Sequence, residues 1–123
     1  MIKNSIQMSE ILKPGQVVKI KVKGFQYSPD GWATAGRCRD QETNTPAILI
    51  FDEIDLYSYP SFSDFLGESV IVKEGETGTI IKYIGRPFKI QKDTAWFQYD
   101  IYEILIKNTV KQIFKQNICE IKK

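Results

Sequence analysis

A chain of 123 residues makes one domain, or two very small ones sharing a core. With 42% hydrophobic and 26% charged residues it is a globular chain, neither disordered nor membrane-bound: no stretch approaches the roughly 20 apolar residues of a membrane span. Its net charge of +2 is too small to argue for nucleic acid by itself, and with no histidine it has no Ser-His-Asp or Cys-His catalysis, no imidazole metal site and no histidine pH switch.

The opening residues lack the apolar run of an export signal, so the expectation is a protein not secreted through a signal peptide. Ile6, Met8, Ile11 and Leu12 line one side of a short helix or an arm that stops at Lys13-Pro14-Gly15. Residues 16–23 alternate strictly, Val18, Ile20 and Val22 against Lys19, Lys21 and Lys23, which predicts a half-buried strand with a basic outer face. Ser28-Pro29-Asp30-Gly31 is a turn, since proline presets φ and glycine accepts a positive one. Strands are expected over 32–39 and, after a polar loop closed by Pro46, over 47–51. Residues 52–66 mix acids with aromatics and read as a connection, with Ser61 capping a one-turn helix that Gly67 ends.

Strands follow at 69–73 and 79–84 around the turn Glu74-Gly75-Glu76-Thr77-Gly78. A short strand is expected at 90–93, and a longer one, rich in aromatic and β-branched residues, at 96–106. Lys107-Asn108 is a turn candidate before 110–114. Val110, Ile113, Phe114, Ile118 and Ile121 also fit helical spacing, with Asn108 or Thr109 as cap, so periodicity alone favours a C-terminal helix slightly. Cys38 and Cys119 belong to no Cys-x-x-Cys pair. They read as reduced, buried thiols, a long-range disulfide being the alternative.

Residues 70–85, Val-Ile-Val-Lys-Glu-Gly-Glu-Thr-Gly-Thr-Ile-Ile-Lys-Tyr-Ile-Gly, resemble the KOW motif, the strand–glycine turn–strand of SH3-like barrels in ribosomal and transcription proteins. The matching positions are Gly75 and Gly78, flanked by Val70, Val72, Ile80 and Ile84. Residues 68–122 as a whole resemble small SH3-like barrel proteins of tailed bacteriophages. In such barrels a hairpin is followed by one 3₁₀ turn and a short closing strand. Here those would be 114–117 and 118–121, so the resemblance favours the hairpin over the helix. It implies an all-β fold with an SH3-like barrel at 68–123. Before it, residues 1–67 make a β segment and an aromatic connector, or a second, divergent barrel. It also implies a non-catalytic structural or adaptor protein, in the virion at the capsid or head–tail region or else in the host cytoplasm. Its partners would be other phage structural proteins or further copies of itself.

Three groups of residues bear on function. Asp52, Glu53 and Asp55 are the one acidic cluster, but they lack the spacing of a calcium loop and any nearby nucleophile, and read as a solvated loop. The glycine turn lacks the Gly-Lys-Ser/Thr ending of a phosphate loop, and its two glutamates repel phosphate. No enzyme and no cofactor is therefore expected. Tyr57, Tyr59, Phe62 and Phe65 crowd the connector, either as a lid between the two halves or as an exposed patch for a partner. Lys82, Arg86, Lys89 and Lys92 gather around the second hairpin with Trp96 and Tyr99 interleaved. That mixture suits phosphates and bases, making a KOW-type nucleic-acid-binding barrel the alternative function. An inhibitor of a host defence protein is a third, carried by no particular residue.

Overall fold

A computed structural model describes residues 11–22, 25–28, 31–34, 39–40, 45–57, 65–88 and 99–121. The fold is all-β, as expected. Its strands are β1 (Val17–Ile20), β2 (Phe25–Ser28), β3 (Gly31–Thr34), β4 (Arg39–Asp40), β5 (Thr45–Ile54), β6 (Phe65–Lys73), β7 (Thr77–Gly85), β8 (Ile101–Ile106), β9 (Thr109–Phe114) and β10 (Ile118–Glu120), with a 3₁₀ turn at Lys115–Asn117. Strands β2 and β3 form a separate hairpin, and the other eight make one antiparallel sheet in the order β10-β1-β7-β8-β9-β5-β4, with β6 beside β5. This sheet curls into a half-barrel.

Alternation decides what fills the barrel. Val18 and Ile20 of β1, Ile48 and Ile50 of β5, Val72 of β6, Ile80 of β7, Ile104 and Ile106 of β8 and Ile113 of β9 all point inward and are buried. Leu12 closes the same core, and its N–H donates to the Tyr102 hydroxyl at 3.0 Å. A second apolar cluster lies on the opposite face of the β8–β9 hairpin. Here Ile101 and Phe114 are covered by Ile54, Phe65, Leu56 and Tyr99.

The hairpin reading of the C-terminal region holds and the helix reading does not. Strands β8 and β9 pair from Ile101↔Phe114 to Ile106↔Thr109. Lys107 and Asn108 both have positive φ, 54° and 62°, which is the type I′ turn that matches strand twist. The 3₁₀ turn and closing strand follow in the expected order. Asn117, fully buried, ties that turn to the end of β1: it donates from Nδ2 to the Lys21 carbonyl at 3.0 Å, and its backbone carbonyl accepts from Lys21 N–H at 2.9 Å.

The structure corrects the sequence in several places. Residues 52–54 continue β5 and 65–67 already belong to β6, so no capped helical turn ends at Gly67. Gly67, at φ +86°, sits instead at the β5–β6 register shift, where an added Cβ would lie 2.6 Å from Asp52. The boundary expected between residues 67 and 68 falls inside β6. Strand β1 runs between β7 and β10, and β5 fills the same core, so strands from before and after that boundary make one sheet. Of the strand read over 32–39 the structure shows β3 and the start of β4, residues 35–38 lying outside the described residues, and of the strand read over 96–106 it shows 101–106. The strand read at 90–93 lies outside the described residues.

The two glycines of the 74–78 turn do different jobs. Gly75 supplies the positive φ, +90°, that reverses the chain. Gly78 is needed for close approach, because an added Cβ would meet Ile104 Cδ1 at 2.8 Å and the Leu105 carbonyl oxygen at 3.0 Å. Gly78→Ala is expected to cost about 1–3 kcal/mol, read as a lower urea midpoint. Ile104→Val in the same chain should recover part of that loss.

Candidate protein-contact surface

The outer face of the half-barrel is built from the residues that alternate with the core. Register places Val17 of β1 opposite Thr79 of β7, Thr79 opposite Leu105 of β8, and Leu105 opposite Val110 of β9. Val18 faces Glu120, so Ile121 continues the row beyond Val17. Side chains in one row across a sheet touch their neighbours. The result is an apolar band crossing five strands, in which Ile121, Val17, Leu105 and Val110 are 39–50% exposed. Exposed Lys19 and Lys107 flank it on one side, and Lys82, Glu103 and Gln112 on the other. At the Ile101–Phe114 end the same face of the hairpin is covered by the second apolar cluster. At the Leu105–Val110 end it is bare.

Beside the covered end lies a buried polar group. Asp100, 5% exposed, accepts at Oδ1 from Arg86 Nε at 2.8 Å and from the Tyr83 hydroxyl at 3.5 Å. Its carbonyl takes the Lys115 N–H at 2.7 Å. The Tyr83 ring packs edge-on against Tyr102, centroids 5.3 Å apart. Burial pushes the Tyr102 hydroxyl up to about 12, with the Leu12 N–H opposing and the nearby Asp100 charge adding. Burial and then the Asp100 charge raise Tyr83 as well. A phenol whose proton is held more tightly in the fold stabilises it fully below pH 10. That contribution fades as pH rises from 10 to 12, because the unfolded chain loses its proton first. For Tyr102, which is fully buried, the loss is about 2 kcal/mol. Unfolding free energies measured from pH 9 to 12.5 should fall in this window, and Tyr102→Phe should flatten the fall.

The acidic cluster is tied into the fold. Asp52 accepts from Lys111 Nζ and, at 2.9 Å, from Glu68 N–H. These two bonds, Lys111 first, hold its carboxyl below the usual carboxylate range. The stability they confer is present above the ordinary carboxylate pKa and is lost as pH falls through the lowered one. Lys111 faces Ile104 on the inner side, is itself buried, and extends its ammonium to Asp52 at the β5–β6 register shift. Asp55 accepts from Tyr57 N–H at 2.9 Å. Among the described residues no three His, Cys, Asp or Glu side chains converge as metal ligands.

The expected site residues separate when placed on this frame. Tyr57 is exposed and its ring packs on Phe88, centroids 5.7 Å apart, where Phe88 N–H donates to the Leu56 carbonyl. Phe65, expected as a partner-facing ring, is instead buried between Phe51 and Phe114. Strand β6 begins at Phe65 and turns it into the second apolar cluster. Tyr59 and Phe62 lie outside the described residues. Of the nucleic-acid candidates Lys82 is exposed, Arg86 is held by Asp100, and Tyr99 packs edge-on against Phe114 at 5.8 Å. Lys89, Lys92 and Trp96 lie outside the described residues, as does Cys38. Cys119, expected to be buried, is exposed on the short edge strand β10 and carries no disulfide.

The apolar band escaped the sequence reading. Its one signal was Leu105 and Val110, apolar residues in the outward slots on either side of a turn. No helix among the described residues is long and apolar enough to cross a membrane. No family model, curated protein or solved structure matches this chain.

Proposed function

We propose that this is a non-catalytic structural or adaptor protein that acts by protein–protein contact through the outer face of β1, β7, β8 and β9. The observation that carries the reading is the band Ile121–Val17–Thr79–Leu105–Val110, four large apolar side chains left open on a sheet whose other face is fully used as core. Contiguous exposed apolar surface of this kind marks contact sites. The likeness of residues 68–122 to small barrels of tailed bacteriophages supports a setting in the virion, at the capsid or head–tail region. The KOW-type nucleic-acid alternative has less support, since Arg86 is spent on Asp100 and Tyr99 on the second apolar cluster.

The test is Leu105→Glu with Val110→Lys, a cross-strand pair of opposite charges that keeps the hairpin while breaking the band. The wild type is expected to self-associate in sedimentation, or to bind a product of the genes flanking its own. The double variant should lose that association at an unchanged melting temperature. A monomeric wild type with no affinity for those products would refute the reading. Anisotropy of labelled DNA and RNA, binding tightly at low salt and weakly at physiological salt, would establish the alternative.

A further inference from the structure

Strand β6 is nine residues long and, among the described residues, pairs only with β5, so one of its edges faces away from the described sheet. Printed bonds fix which groups point there. Glu74 N–H bonds to the Pro46 carbonyl, toward β5. By alternation the backbone groups of Ser69, Ile71 and Lys73 point the other way. Two of these outward groups are occupied by side chains. Lys107 Nζ donates to the Ile71 carbonyl at 2.7 Å, and Lys73 N–H donates to Glu76 Oε1 at 2.7 Å. Lys107 and Glu76 are themselves an ion pair at 3.6 Å.

This is the bonding pattern of one residue in a parallel ladder. Such a residue donates its N–H to the carbonyl of residue i on the neighbouring strand and accepts at its own carbonyl from the N–H of residue i+2. The ammonium and carboxylate perform those two roles for Ile71 and Lys73. The adjoining pair of the same type, the Ser69 carbonyl and the Ile71 N–H, has no partner among the described residues. An antiparallel strand centred on Ile71 would need both of its groups, and its carbonyl is already taken; antiparallel pairing at Ser69 is the competing geometry.

We propose that the free edge of β6 is a strand-addition site. Its ligand is an extended, uncharged segment of a partner protein running parallel to β6, with one residue opposite Val70. That residue donates to the Ser69 carbonyl, so it is not proline, and accepts from the Ile71 N–H. The Lys107–Glu76 pair stands in for the segment's next residue and is displaced by a longer one. Backbone bonds supply the recognition, as in other sheet-edge binders. The site is separate from the apolar band and does not depend on it.

The probe is a capped heptapeptide of alternating threonine and valine at millimolar concentration, added to the full chain while amide exchange is followed by NMR. Saturating peptide is expected to slow exchange of the Ile71 amide by about tenfold. The same peptide N-methylated at alternate residues should not. Lys107→Ala should tighten binding by about threefold, because the ladder can then extend by a residue. The Leu105→Glu, Val110→Lys variant should bind the peptide as the wild type does, even if the outer-face proposal fails. The inference is overturned if Ile71 exchange is unchanged, if the N-methylated peptide protects it equally, or if the Ser69 amide is protected in its place. The last result would mean antiparallel addition. It is also overturned if the wild type ignores the peptide and only Lys107→Ala binds it, which would make the ion pair a guard against edge pairing.

Discussion

Replacing Arg86 with alanine is expected to lower the unfolding free energy by about 3 kcal/mol and the melting temperature by roughly 10 °C. The Arg86 and Asp100 side chains are 13% and 7% exposed, so removing the guanidinium leaves a carboxylate in a largely water-free site. The Tyr83 hydroxyl, at 3.5 Å, is too distant to replace it. The signature that separates this from lost packing is a double variant. Arg86→Met with Asp100→Leu should restore most of the loss at neutral pH, because it removes both charges together. A single variant within 1 kcal/mol of wild type would mean the pair is not desolvated in solution.

Phe114→Ala should cost about 3–5 kcal/mol. The ring is fully buried and meets Phe65 and Tyr99 edge-on, at 6.4 Å and 5.8 Å. The damage should be local. Phe114 holds the cluster outside the barrel, where the end of β5 and the start of β6 fold over the β8–β9 hairpin. Amides at 51–54 and 65–66 should therefore lose exchange protection more than those of Val18 or Ile104, whose contacts lie in the other cluster. Uniform loss across both clusters would show that the two cores unfold as one unit.

What the sequence revealed divides along the range of the interactions. The strand at β1 was legible because its signal is local: alternation of valine and isoleucine with lysine. The β8–β9 hairpin was not legible from local signals alone, since periodicity slightly favoured a helix over 109–121 and the likeness to SH3-like barrels was what favoured the hairpin. What rejects the helix is pairing, since Ile113 lies opposite Tyr102 and Ile118 opposite Ile20. The misread segment, 52–67, depends on distant partners. Asp52 looks like a loop acid until Lys111, far along the chain, supplies its cation. Gly67 looks like a helix stop until Asp52 occupies the space where its Cβ would be. Phe65 looked like part of an exposed aromatic patch because nothing nearby in sequence announces the cluster that buries it. Tyr102 was not singled out at all, although its hydroxyl anchors Leu12.

The position of β1 has a consequence for how the molecule comes into being. Its two neighbours, β7 and β10, pair with it at Thr77–Thr79 and Ile118–Glu120, so β1 meets its first partner about 60 residues later in the chain and its second about 100 residues later. The nascent chain therefore carries a valine–isoleucine strand unpaired until β7 is made, with Lys19 and Lys21 alternating between its apolar side chains. Contacts this distant along the chain make folding slow and leave intermediates open to aggregation. A circular permutant that joins the two ends and opens at the Lys107–Asn108 turn would bring β10 and β1 together as sequence neighbours. It would trade a late long-range closure for an early local one.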